Sequence, residues 1–260
     1  MIQISIAGGL GNQLFQYSFS RYLSSMYSGE VRFDLSFYLD PRRLPHERFF
    51  LRDLLEIDHR SHCVLGMMSG FGFLRKILRL TLTTEREFEA GNIAPGSIVR
   101  GNWQNLRYAY FGKQDIEKRI FRNRGQAQQK IAEGSVALHL RGNDLRRGGY
   151  GGKHVLLKEK YYRDAIDFFG HDKNYTVYTD DIVFAKELLP TGISVSFRGT
   201  ESVKETVNDF VSLCSHNNIV CANSTFSWWA AYLGANKKVV FPKDDRYIHQ
   251  SLIPDGWNLI

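Results

Sequence analysis

The stretch "SVALHLRGND", residues 135 to 144, decides how this chain is read. A short apolar run gives way to polar residues and a glycine, the pattern of a buried strand feeding a loop. The same pattern recurs on both sides: "NYTVYTDD" at 174 to 181, "ISVSF" at 193 to 197, "NIVCANS" at 218 to 224 and "KKVVFP" at 237 to 242. Far upstream, "IQISIAGG" at 2 to 9 repeats it. Helical spacing fills the gaps, over 12 to 26, 158 to 169, 182 to 189, 203 to 215 and 225 to 233. Strands alternating with helices predict an α/β protein built on parallel sheets. The regularity is clearest from about residue 134, so two Rossmann-like halves are expected, 1–133 and 134–260.

The middle of the chain is less regular. "FLRDLLEI" at 50 to 57 reads as a helix. "FGFLRKILRL" at 71 to 80 reads as a short amphipathic one, with Phe73, Leu74, Ile77 and Leu78 as its apolar stripe. Such a helix faces a core or lies on a membrane surface. No internal repeat and no low-complexity tract interrupts the chain.

Composition narrows the function classes. Hydrophobic residues make up 43% of the 260 and charged residues 23%, which describes a globular chain long enough to bury a core. The formal net charge of +7 favours anionic partners such as nucleotides, phosphates or a lipid surface. No nucleic-acid-binding motif accompanies that charge, so nucleic acid is not an expected partner. Cys63, Cys214 and Cys221 are odd in number and lack metal-ligand spacing, which argues against a disulfide framework and for a reducing compartment. The opening "MIQISIAGGL" has no basic region before an apolar core, and no apolar run approaches the roughly 20 residues of a membrane span. A cytoplasmic protein is the expectation.

The polar ends of the strands carry the candidate chemistry. After the first strand, Gly8, Gly9 and Gly11 form a tight turn before a helix, with Asn12 and Gln13 at the helix start. A dinucleotide fingerprint needs a third glycine where Leu14 stands, so a nicotinamide site is not supported, although Asp34 sits where a ribose-binding acid would. What remains is a backbone loop and helix start suited to an anion, or a plain turn capped by Asn12. At the end of "VALHL" lie His139, Arg141 and Asp144; His139 and Arg141 are two apart and share a sheet face. An arginine there presents a fixed fork of donors that matches a phosphate. Asn223 and Ser224 precede a helix that Gly234 ends, with either residue able to cap it and with Thr225 in its first turn. Trp228 and Trp229 read as core. Asp180 closes another strand; with Asp181 it suggests a metal only on paper, because adjacent acids point apart and no third ligand is evident.

Taken together, "GGLGNQLFQYSFSRYL", "HLRGND", "YTDD" and "NSTFSWWAAYLG" resemble, in that order, the bacterial α-1,2-fucosyltransferases of glycosyltransferase family 11. "GNWQNLRYAYF" at 101 to 111 and "KEKYYRDAIDFF" at 158 to 169 resemble the family's connecting segments, so the likeness covers nearly the whole chain. The resemblance implies a GT-B-type fold, two Rossmann-like halves facing a central cleft. The N-terminal half would take the acceptor side and the C-terminal half GDP-fucose. It implies inverting transfer of L-fucose from GDP-β-L-fucose to the 2-hydroxyl of a galactose, with neither metal nor other cofactor. The implied donor-binding residues are Gly9, Gly11, Asn12, Gln13, His139, Arg141, Asp180, Asn223, Ser224, Thr225 and Phe226. Asp180 would read guanine and Phe226 would pack near the nucleotide. The implied catalytic residues are Arg141, His139 and Asp144, the last as general base or acceptor-positioning group.

The family's usual H-x-R-R-x-D is H-x-R-G-x-D here, with Gly142 in place of the second arginine. Arg141 is then left as the main phosphate ligand, with Arg146 or Arg147 as stand-ins. Where many relatives have G-Y-W-Q, this chain has Gly101, Asn102, Trp103 and Gln104. The implied acceptor is a galactose-containing glycan of a surface polysaccharide. A lipid-linked acceptor would bring peripheral contact with the inner face of the bacterial cytoplasmic membrane. Other linkages, another GDP-sugar, and a non-catalytic glycan- or nucleotide-sugar-binding protein are the alternatives.

Overall fold

In the computed structural model, residues 1–39, 48–57, 82–89, 91, 96–124, 134–142, 156–199, 203–234, 237–243, 248 and 250–260 are described. The amphipathic segment expected at 71 to 80 lies outside them, as do Asp144, Arg146 and Arg147. The chain divides into two compact units, Met1–Arg119 and Ile120–Ile260.

The first unit is a four-stranded sheet in which every pairing is parallel. Its strands β1 (Ile2–Ser5), β2 (Val31–Asp34), β3 (Leu82–Thr84) and β4 (Ile98–Arg100) lie in the order β2-β1-β4-β3. Helix α1 (Leu10–Met26) joins β1 to β2, and Leu14, Phe15, Phe19 and Leu23 are buried along it. Each such side chain taken fully from water contributes about 1.5–3 kcal/mol. Among the described residues three further α-helices follow: α2 (Leu51–Leu55), α3 (Glu85–Glu89) and α4 (Leu106–Arg124), the last crossing the division between the units. Polar ties fasten α4 to α1: the Tyr17 hydroxyl donates to Asp115, and Arg119 pairs with Asp115 at 3.2 Å.

The second unit holds a six-stranded, all-parallel sheet. Its strands are β5 (Val136–Leu140), β6 (Asn174–Thr179), β7 (Ser194–Arg198), β8 (Asn218–Val220), β9 (Lys238–Phe241) and β10 (Asn258–Leu259), in the order β10-β9-β8-β5-β6-β7. Helices α5 (Glu159–Phe169), α6 (Ile182–Leu188), α7 (Val203–Cys214) and α8 (Thr225–Tyr232) connect successive strands from β5 to β9. Counted from β5, that order is the doubly wound 3-2-1-4-5-6. All five residues of β5 are buried, as a parallel strand covered on both faces requires. α5 shows the ordinary amphipathic division: Tyr161, Tyr162, Ala165 and Ile166 face the core, while Lys160 pairs with Asp164 at 2.6 Å in solvent. Trp228 and Trp229 are fully buried core, as the sequence suggested, and Trp228 donates to the Leu252 carbonyl at 2.9 Å.

Candidate functional site

A doubly wound sheet changes winding direction between its first and fourth strands, and the loops leaving those strands diverge around a crevice. In the second unit this point lies between β5 and β8, which pair from Val136↔Asn218 to Leu138↔Val220. The sequence places His139 near the end of β5 and Arg141 just past it, with Asn223 to Phe226 just past β8. The fold therefore brings together residues that are far apart in the chain. Their contact is direct: the His139 and Phe226 rings lie 5.3 Å apart at 34°, and Phe210 of α7 closes on Phe226 at 5.2 Å.

Local chemistry explains the helix start. Ser224 has extended backbone and its hydroxyl accepts from the Phe226 N–H at 3.3 Å, so Ser224, rather than Asn223, is the cap. The N-terminal end of α8 follows β8 and carries the partial positive charge of the helix dipole. Asn223, Ser224 and Thr225 are buried here, while Arg141 is half-buried.

The two acids after β6 have separate duties. Asp181 caps α6 by accepting from the Phe184 N–H at 3.0 Å. Asp180 reaches to the neighbouring strand end, where its Oδ1 accepts from the Gly142 N–H at 2.7 Å. Gly142 is buried, and a Cβ added there would stand 2.7 Å from Phe184 Cδ1 and 3.2 Å from Asp181 Cβ. The glycine that departs from the family pattern thus sits where a side chain has no room.

In the first unit, the loops that follow the paired strands β1 and β4 lie side by side. Gly9 is the N-cap of α1 with no side-chain capping bond; Asn12 lies within the first turn and is not the cap. Gly8 adopts φ +77, which only glycine takes readily, and a Cβ there would meet Asn12 Nδ2 at 2.9 Å. Gly11 is buried, while Asn12 is partly exposed and its Oδ1 accepts from Gln104 Nε2 at 3.2 Å. Gln13 is wholly buried beneath the loop: its amide donates to the Gly8 and Arg48 carbonyls at 2.9 and 2.6 Å and accepts from the Phe50 N–H at 2.9 Å. Gln13 is placed to hold the loop from behind. Asp34 is also buried, accepting from Ser5 Oγ at 3.4 Å and from the Ser36 N–H at 3.0 Å, which makes it a turn-forming acid and not a ribose ligand.

One contributor, Gln16, was not read from the sequence, and Trp103 was read only as part of a family segment. Gln16, buried on α1, accepts from the Ala7 N–H at 2.9 Å and donates to the Gly101 carbonyl at 3.2 Å, tying the β1 and β4 loops together. Trp103 has φ 55, a strained value for a bulky residue, held by its stack on Phe19 at 3.6 Å and by its N–H donating to Glu85 at 3.2 Å. That backbone sets Gln104 beside Asn12. A second polar residue on the buried face of a helix, three after Gln13, was the available signal for Gln16.

Behind the second site, a polar network joins β6 and β7 to α7 and the turn that follows it. His216 Nε2 meets the Tyr178 hydroxyl at 3.1 Å, that hydroxyl meets Ser212 Oγ at 2.7 Å, and Arg198 donates to Ser212 at 2.8 Å. Burial first, then the Lys237 and Arg198 charges, pull the His216 imidazole down to about 4, so it stays neutral under ordinary conditions. Burial also raises the Tyr178 phenol, against its hydrogen bonds from Ser212 and Arg198.

Two units, each built on an all-parallel sheet with helices between its strands, define a class, the α/β proteins of GT-B type. The comparisons give the family. Residues 97–258, more than half of the chain, match glycosyl transferase family 11, and the chain belongs to that family of glycosyltransferases. It is similar to an alpha-1,2-colitosyltransferase of Escherichia coli, 28% identical over 257 residues, covering 88% of this chain and 86% of that protein. It is also similar to the O-antigen biosynthesis glycosyltransferase WbnK of Escherichia coli, 26% identical over 115 residues, covering 42% of this chain and 38% of that protein. Among solved structures, a NodZ alpha-1,6-fucosyltransferase soaked with GDP-fucose shares the fold, with a TM-score of 0.52 at 12% identity over 95% of this chain and 97% of that one.

Proposed function

We propose that this chain transfers L-fucose from GDP-β-L-fucose to the 2-hydroxyl of a galactose in a surface-polysaccharide unit, with inversion to an α-linkage and without a metal. The observation that supports the reading is the meeting of His139 with Phe226 at the β5–β8 switch point, next in sequence to Arg141 on one side and to the Ser224-capped helix start on the other. Such a site suits a nucleoside diphosphate. As the bond from the sugar to the β-phosphate breaks, negative charge grows on the departing diphosphate and oxocarbenium character on the sugar. Arg141 and the N–H groups of α8 are preorganised for that charge, and they supply what a divalent cation supplies elsewhere. His139, its ring tilted against Phe226, supports the phosphate or the ribose. Asp144 serves the acceptor hydroxyl as base or positioning group. In the first unit, the Gly9–Gly11 loop and the Asn12–Gln104 amide pair offer hydrogen bonds to the sugar or acceptor, and Gln13 keeps that loop in place. The α-1,2 linkage has the support of the colitosyltransferase, which is similar over most of both chains.

A second reading keeps the site and linkage and replaces the sugar: colitosyl transfer, favoured by the same relative. One experiment separates them. The protein is incubated with GDP-fucose or GDP-colitose and a panel of β-galactosides, with and without chelator, and the product linkage is read by NMR. Fucosylation at the 2-hydroxyl that survives chelator is expected. Transfer from GDP-colitose alone selects the second reading, and transfer from neither donor removes both.

A further inference from the structure

We propose that Asp180 and Phe184 are positioning residues for Arg141, fixing the peptide at Gly142 so that the guanidinium before it is aimed at the diphosphate. The inference rests on the reading of Arg141 as the diphosphate ligand. β5 and β6 pair in register up to Leu140↔Thr179, which sets the residues following the two strands side by side. Across that gap, Asp180 Oδ1 accepts from the Gly142 N–H at 2.7 Å, a short bond to a charged acceptor. From the other side, the Phe184 ring fills the space beside the Gly142 Cα, leaving 2.7 Å where a Cβ would stand.

The clamp is itself rigid. Asp181 caps α6 through the Phe184 N–H at 3.0 Å, and its own N–H donates to Thr179 Oγ1 at 3.0 Å. The turn carrying both clamp residues is therefore tied at each end. With the Gly142 peptide plane held, the backbone of Arg141 has little freedom. A single arginine then does the work for which the family pattern provides two.

This assignment differs from a guanine-reading Asp180. After the bond from Gly142 the Asp180 carboxylate keeps accepting capacity, so the two roles are told apart by which ligands each variant loses.

The test is calorimetric titration of the full chain with GDP and, separately, with inorganic pyrophosphate, alongside melting curves. Asp180→Ala is expected to weaken both ligands by the same factor, on the order of 10-fold or more. Asp180→Asn, which retains an oxygen acceptor, recovers most of that loss. Gly142→Ala weakens both ligands, and adding Phe184→Ala to it restores part of the affinity. If Asp180→Ala weakens GDP alone and Asp180→Asn is equally damaging, the residue reads guanine and the proposal falls. Unchanged affinity in both Asp180→Ala and Gly142→Ala also overturns it. Failure of the underlying reading looks different: the wild type binds no GDP, or Arg141→Ala binds it normally. The clamp is then judged by hydrogen exchange at the Gly142 amide, which Asp180→Ala must accelerate and Asp180→Asn must not.

Discussion

Arg141 and Gln13 illustrate two kinds of residue that a sequence presents alike. Both are polar and both stand where a strand gives way to a loop or helix. The structure leaves Arg141 half-buried at the switch point and puts Gln13 wholly inside. Arg141→Ala is therefore expected to lower transfer by roughly 100-fold while leaving the melting temperature nearly unchanged, and Arg141→Lys to recover little, because a point charge does not reproduce the guanidinium fork. Kinetics and melting curves on the same preparations check both halves of that statement. Gln13→Ala has the opposite profile. It strands the Gly8 and Arg48 carbonyls and the Phe50 N–H, at a cost of about 2–3 kcal/mol in chemical denaturation, and lowers activity only as the loop loosens. The positions of His139, Arg141 and Ser224 were legible because each lies at or just past the end of an apolar run that reads as a buried strand. The direction in which Asn12 and Gln13 spend their hydrogen bonds was not, because the partners at 48, 50 and 104 are set by tertiary contacts.

At the scale of elements, the strands that read as apolar runs form, along with the helices between them, and their alternation accounts for the parallel pairing of the larger sheet though not for its strand order. The elements that escaped are short or disguised. β3 and β4 have three residues each and β10 two, too few to show a period. α4 is 19 residues long, yet its buried stripe of Tyr108, Gly112, Ile116 and Ile120 includes a glycine, and exposed Tyr110 and Phe111 blur its polar face. That glycine is the reason α1 and α4 pack as closely as they do. A Cβ at Gly112 would lie 1.9 Å from Ser18 Oγ and 2.7 Å from Ser18 Cα, and the second clash is with backbone that no rotamer change moves. Gly112→Ala is accordingly expected to destabilise the first unit by about 1–3 kcal/mol, even though alanine is the better helix former. Adding Ser18→Gly should restore only part of the loss, since the clash with the α1 backbone persists. A urea midpoint for Gly112→Ala equal to or above that of the parent would refute the close-packing account.

At the scale of the whole molecule, buried titratable groups set the pH range in which the fold is stable. On the acid side, His216 ordinarily titrates at 6.5 but is pulled to about 4 in the folded chain. Between those values the unfolded chain binds the proton and the folded one does not. Stability present above pH 6.5 is thus lost as pH falls toward 4, at up to about 1.4 kcal/mol per pH unit. Asp209 works against this: burial raises its carboxyl above 3.8, so its contribution is present at low pH and lost as pH rises through its folded value. On the alkaline side, burial raises the Tyr161 and Tyr162 phenols above 10.0 and the Cys221 thiol above 9.0. Those groups stay protonated in the fold while the unfolded chain ionises, and stability is lost as pH climbs past their ordinary values. The expected profile is a plateau between about pH 6.5 and 9 with a decline on each side. All of these groups belong to the second unit, as do three of the four tryptophans, Trp228, Trp229 and Trp257, so urea denaturation followed by tryptophan fluorescence in a Trp103→Phe background reports on the relevant half. Because Asp209 and the ordinary carboxylates also titrate in acid, the informative quantity is the difference between the parent and His216→Gln, which keeps hydrogen-bonding capacity without the titration. That difference should vary with pH between about 4 and 6.5 and be flat from about 7 to 9. A difference that is constant across the whole range would show that His216 is not held neutral by its burial.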